Sequence, residues 1–86
     1  MPEISRFFGI VIRMFFDDHA PPHFHASYGR SGAEVGIRPI QVLHSELPPR
    51  ALSLVLEWTA SHQAALLANW ERLQAGRAAR KVPPLK

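Results

Sequence analysis

The run Arg6-Phe7-Phe8-Gly9-Ile10-Val11-Ile12-Arg13-Met14-Phe15-Phe16 decides what kind of fold this chain can adopt. It is rich in aromatic and β-branched residues and carries no helix cap, so it reads as one long strand. Phe8, Ile10, Ile12, Met14 and Phe16 make one face uniformly apolar, whereas the other mixes Phe7, Val11 and Phe15 with Gly9 and Arg13. The even face is therefore expected in the core, with the odd-face aromatics in the core or against a partner.

Working outward, Asp17-Asp18-His19-Ala20-Pro21-Pro22 breaks the strand, because prolines cannot donate ladder hydrogen bonds and the residue before a proline avoids helical backbone. A second strand, His23 to Tyr28, puts Phe24, Ala26 and Tyr28 on one side and His23, His25 and Ser27 on the other. Gly29-Arg30-Ser31-Gly32 supplies a hairpin turn. A third strand runs from about Ala33 to Arg38 and stops at Pro39, and Ile40 to Leu43 adds a short fourth. Beyond it Pro49 suits a first helical turn and Gly76 a helix end. On a helical wheel Leu52, Val55, Leu56, Thr59, Leu66, Leu67, Trp70 and Leu73 share one side, with Trp58 beside them. Continuous from Pro49 to Ala75, this helix would be about 40 Å long, so it either kinks near Thr59 to His62 or projects toward a partner. The expected architecture is α+β: a three- to four-stranded, mainly antiparallel sheet in ββββα order under one long C-terminal helix. Residues 1–46 form the sheet region, 47–76 the helix and 77–86 a basic extended tail.

The 86 residues amount to about half the usual length of a domain, so a single domain is expected, small enough to gain from a homo-oligomer or a protein partner. With no cysteine there can be no disulfide framework, thiolate zinc site or cysteine nucleophile. No apolar stretch reaches the roughly 18 to 20 residues of a membrane helix, and no signal pattern opens the chain, so a cytoplasmic protein is expected. The net charge of +3 is unevenly distributed. Residues 1–46 hold four arginines against five acids, and residues 47–86 hold six basic residues against Glu57 and Glu71. A basic end of this kind attracts phosphate or an acidic partner, but the simpler expectation is a solvated tail.

Asp17 to His25 contains three of the five histidines and two carboxylates. His23 and His25 lie two residues apart on a strand and so point to one side. With Asp18 and His19 from the proline-stiffened loop they make a ligand set suited to zinc or another divalent transition metal. Without a metal, the same histidines beside Arg13 and Arg38 are equipment for phosphodiester cleavage by acid–base catalysis, in which imidazole moves protons and guanidinium holds phosphate. His62, on the flank of the helical stripe, is a candidate second base or third ligand. Tyr28 joins Arg13 and Arg38 as a substrate-binding candidate, and Glu34 and Asp18 are candidates for orienting a histidine. His44 has no supporting neighbours. Pro2 would be a secondary amine if Met1 were removed.

The segments Met1-Pro2-x-Ile4-Ser5-x-Phe7-x-Gly9-Ile10, Asp18-His19-x-Pro21-Pro22-His23-Phe24-His25-Ala26-x-Tyr28, Leu47-Pro48-x-Arg50-Ala51-Leu52, Leu56-Glu57-Trp58-x-x-x-His62-Gln63, Asn69-Trp70 and Pro83-Pro84-Leu85 together resemble the small bacterial domain-of-unknown-function family numbered 4160. The resemblance implies a short cytoplasmic protein whose gene lies beside that of a second small protein, in a layout that looks like a toxin–antitoxin module. It carries no assigned catalytic residues. Together with the histidine pair, it leads to the expectation of a toxin-like component acting on RNA as a metal-independent ribonuclease without a cofactor. A metal-binding protein and a non-catalytic interaction module are the alternatives.

Overall fold

The computed structural model describes residues 3–86, so Pro2 lies outside the described residues. The architecture is α+β, with five antiparallel strands in sequential order followed by two helices. The strands are β1 (Glu3–Phe7), β2 (Ile10–Arg13), β3 (His23–Tyr28), β4 (Ser31–Ile37) and β5 (Ile40–Ser45); the helices are α1 (Pro49–Ser61) and α2 (Gln63–Gln74). None of the described helices is long and apolar enough to cross a membrane.

The long first strand expected from the sequence is instead a hairpin. Phe8 and Gly9 have φ of 49° and 80°, the positive values that a two-residue turn of the primed type needs at both positions. Phe7 thereby pairs with Ile10, and partners in register share a face, so both enter the core. Phe8 is left exposed at the tip. The turn needs Gly9 for a second reason: a Cβ there would lie 3.2 Å from the Tyr28 ring. Ile10, Ile12 and Met14 are fully buried, as the even-face reading requires, whereas Phe16 is exposed beyond the end of β2.

β1 is an edge strand. A bulge between Glu3 and Ser5 leaves Ile4 as the extra residue, buried, with its carbonyl accepting from the Val82 amide at 2.8 Å. Arg6 grips Glu3 through Nε and Nη2 at 3.1 and 2.8 Å, and this hydrogen bonding holds the Glu3 carboxyl below its ordinary value. The pair's contribution is present above that ordinary value and lost as pH falls through the lowered one.

The single helix of the sequence reading is broken at His62, one of the two outcomes its length allowed. The His62 amide donates to both Trp58 and Thr59 carbonyls, at 3.1 and 3.2 Å. Thr59 and Ser61 each turn a hydroxyl back onto the carbonyl four residues earlier, at 2.7 and 3.3 Å, the kind of bond that bends helices. The described residues measure 34 × 24 × 22 Å, and at about 1.5 Å per residue the 13 residues of α1 and the 12 of α2 are each shorter than the smallest of these extents. Because the two helices have separate stripes, Trp58 lies at the centre of the core and not beside it. It is fully buried, with Phe7 and Phe24 rings at 5.3 and 5.6 Å. Leu52, Leu56 and Leu67 pack at the core's margin.

Residues 77–86 carry no helix or strand, and they are not a solvated tail. Trp58 Nε1 donates to the Pro83 carbonyl at 2.9 Å, Val82 is buried, and Lys81 Nζ reaches the Glu3 carbonyl at 2.8 Å. Asn69, itself 2% exposed, clamps the backbone of Arg80 in both directions, each bond 2.8 Å. The segment is a strap across α2, α1 and β1. Two hydrogen bonds of ~1 kcal/mol each are at stake in that clamp. Asn69→Ala should therefore cost about 2 kcal/mol, and thermal unfolding followed by circular dichroism should show a midpoint lower by roughly 8 to 16 °C. An unchanged midpoint would mean that the strap does not contribute to the folded unit.

Candidate metal centre

Pro22 ends the loop and His23 begins β3, with the Pro22 carbonyl accepting from Ile37 N at 3.0 Å and so continuing the sheet pairing one step past the strand. His23 and His25 then point to one side, as their spacing dictates. The loop folds back so that Asp18 Oδ2 lies 3.0 Å from His25 Nε2 and 3.5 Å from His23 Nε2. The ligand atoms of Asp18, His23 and His25 all lie within 4.8 Å of one another.

Each member is held from behind. His23 Nδ1 donates to the Pro21 carbonyl at 2.7 Å, a bond that leaves Nε2 as the atom facing Asp18. The Trp70 ring lies 5.4 Å from the His23 ring and helps bury it. Phe15 meets the His25 ring edge-on at 4.8 Å, which accounts for this odd-face aromatic. Gln74 of α2 donates to the Asp18 carbonyl at 3.3 Å. The loop that carries the carboxylate is thus tied to a helix, and the imidazoles are tied to a strand and two aromatic rings.

Such an arrangement has a definite electrostatic preference. A neutral His23 with its proton on Nδ1 presents a lone pair at Nε2 to a carboxylate oxygen, and two electron-rich atoms at this separation favour a cation between or beside them. Ligand atoms of a tetrahedral site at ~2.0 to 2.1 Å from a metal stand roughly 3.3 Å apart. The two histidine–carboxylate separations bracket that value.

The remaining candidates are distributed around this cluster. Arg13 stands opposite His25 in register, and Glu34 stands opposite it on the other side. Arg13 Nη1 donates to Ser27 Oγ at 3.2 Å. Glu34 in turn faces His44, so one row crosses four strands as Arg13, His25, Glu34, His44 and borders a groove of about 350 Å³. His19 is exposed in the loop and outside the cluster. Arg38 lies past the end of β4 in the exposed turn to β5, and no side-chain bond ties it to the cluster. His62 caps the helix junction with its ring 5.6 Å from that of Trp58 and is not one of the clustered ligands. Tyr28, at the opposite end of β3, is about 16 Å along the strand from His23 and lines a separate groove with Phe8 and Leu54. Sequence reasoning had no means of assigning Phe15, Trp70, Gln74 and the Pro21 carbonyl to the site, and it set His44 aside.

These features define a small α+β domain in which a five-stranded antiparallel meander, backed by two helices, carries a two-histidine, one-carboxylate cluster at the mouth of its third strand. The chain belongs to the family described as Domain of unknown function (DUF4160), whose model matches residues 9–71. That span contains all three clustered residues. Neither the curated proteins nor the solved structures offer a significant match.

The Pro21 carbonyl can only accept, so His23 must carry a proton on Nδ1 whatever its charge. Long-range proton–nitrogen NMR correlations of the neutral ring should show Nδ1 protonated and Nε2 bare. The opposite tautomer would mean that His23 is not oriented toward Asp18 as described.

Proposed function

We propose that this protein binds a divalent transition metal through Asp18, His23 and His25, and that the bound ion is its working centre. The observation that carries the reading is the convergence of two Nε2 atoms on one carboxylate oxygen, with the His23 tautomer fixed by a backbone carbonyl. A carbonyl behind a ligating imidazole is the usual means of orienting a metal ligand. Three protein ligands leave at least one position for water, the pattern of catalytic and not of closed structural sites. Such an ion supplies an activated water or polarises a substrate oxygen. Zinc is the first choice for two imidazoles and one carboxylate, with iron and manganese also compatible.

Protein purified without a histidine tag should contain close to one metal ion per chain by elemental analysis. His23→Ala and Asp18→Asn should each lose at least about tenfold in metal affinity while keeping the circular dichroism of the parent. Metal far below stoichiometry in the parent, with no uptake on titration, would end this reading.

A second reading is favoured by the register of Arg13 opposite His25. Here the protein is the toxin-like component of a two-gene module, paired with a small protein encoded next to it, and cleaves RNA without metal. His23 and His25 would exchange protons while Arg13, which makes no ion pair among the described residues, would hold the phosphate. Chelator-treated protein should then cleave RNA, and His25→Ala should abolish cleavage. If cleavage appears only when metal is restored, the chemistry belongs to the first reading.

A further inference from the structure

We propose that the groove between α2 and the C-terminal strap is a binding site for the phosphodiester backbone of a nucleic acid. The groove has a volume of about 480 Å³ and shares no lining residue with the Asp18, His23 and His25 cluster. Arg72, Arg77, Arg80 and Lys81 line it, against the single acid Glu71. None of the four cations forms an ion pair with a carboxylate among the described residues. Lys81 Nζ is bonded to the Glu3 carbonyl at 2.8 Å, so the like charges brought to the depression are those of the three arginines; they repel each other, and a polyanion relieves that repulsion.

The cations are held in place by the fold. Asn69, buried beneath them, fixes the backbone of Arg80 with its paired 2.8 Å bonds. Arg72 Nε donates to the Ala78 carbonyl at 2.8 Å, and the Arg77 amide donates to the Arg72 carbonyl at 2.7 Å. The strap is thus locked to α2 by bonds that leave the outer guanidinium nitrogens of Arg72 and the whole side chains of Arg77 and Arg80 without a hydrogen bond to other described residues. Three of the four cations are arginine, whose planar fork matches phosphate oxygens.

The helix surface under this rim is small: Ala65, Ala68 and Ala75 lie there. That leaves room for a backbone to approach but supplies none of the large apolar or aromatic anchors on which a protein partner's affinity usually depends. The lining contains no aromatic ring, so the contacts are with phosphates and carry no base preference.

The test uses fluorescence anisotropy with mixed-sequence single-stranded RNA and DNA of about 12 nucleotides. Binding should be independent of sequence, and the logarithm of affinity should fall with the logarithm of salt at a slope of roughly −2 to −3, given about −0.7 per phosphate neutralised. The double variant Arg77→Ala/Arg80→Ala should weaken binding on the order of tenfold at about 0.1 M salt and reduce the slope by roughly 1.4. Its thermal midpoint and metal content should match those of the parent, which separates failure of this groove from failure of the metal centre. RNA bound more tightly than DNA, or the reverse, identifies the source of the phosphodiester. An unchanged slope in the double variant would overturn the proposal, as would displacement of the oligonucleotides by poly-glutamate at equal charge concentration; the latter would assign the groove to an acidic protein.

Discussion

The indole of Trp58 is where the separate parts of this molecule meet. Its ring is packed by Phe7 of β1, Phe24 of β3 and His62 at the helix junction, and its one polar atom donates to Pro83 of the strap. A domain of this size buries only about two-thirds of its unfolded surface, so few side chains can be enclosed on all sides. Enclosing the largest one requires all of these parts at once. The N–H sets the further condition that a carbonyl must reach it, because an unpaired buried donor costs about 1 to 3 kcal/mol. The strap supplies that carbonyl. The chain beyond α2 is therefore part of the core's boundary and closes the end of the molecule that β1 would otherwise leave open.

The same economy explains where the polar cluster lies. β3 is the central strand of five, and both of its faces are in use: Phe24 and Ala26 enter the core, while His23 and His25 alternate with them on the other side. A central strand places its side chains with little freedom, and Asp18 is then the only member supplied by a loop. Its loop is held by Gln74, so the position of the carboxylate depends on α2, whose direction is set by the break at His62. The hydroxyls of Thr59 and Ser61, remote from the cluster in sequence, thus help determine whether a loop carboxylate meets two strand imidazoles.

How far the sequence revealed this depends on the range over which each signal acts. β3 was legible to the residue, because Pro22 and Gly29 bound it and its alternation is strict. The shared side of His23 and His25 followed from that spacing alone. The hairpin at Phe8-Gly9 was not legible, since phenylalanine gives no turn signal and both halves of the run are equally apolar; the reversal brings Phe7 against Trp58, a contact that lies far away in sequence. A single wheel over residues 49–75 sets Trp58 beside the stripe because that span is two helices. Ala51, Val55 and Trp58 have the helical spacing of a stripe within α1 alone. That Asp18 and not His19 meets the two histidines is a matter of loop conformation, which adjacent positions in sequence do not encode. His44 joins the polar row through a bulge between Glu34 and Val35. Without it Glu34 would face Leu43, so no reading by even register could have placed that histidine.

Charge is the property whose meaning changes most once the fold is known. A basic C-terminal end would be expected to disperse into solvent, where a Debye length of about 8 Å at physiological salt would screen each cation from the next. The bonds from Asn69 and Arg72 to the strap instead hold those cations around one groove. α2 is the element common to both polar regions, for Trp70 and Gln74 support the His23 and Asp18 side while Asn69 and Arg72 organise the strap. Trp70 and Asn69 are neighbours in sequence and both are buried, yet they serve these two different sides of the helix. A rotation of α2 about its axis would disturb both sites together. The bend at His62 and the clamp on Arg80 therefore act as two ends of one constraint, which fixes the helix that the Asp18, His23 and His25 cluster and the basic groove share.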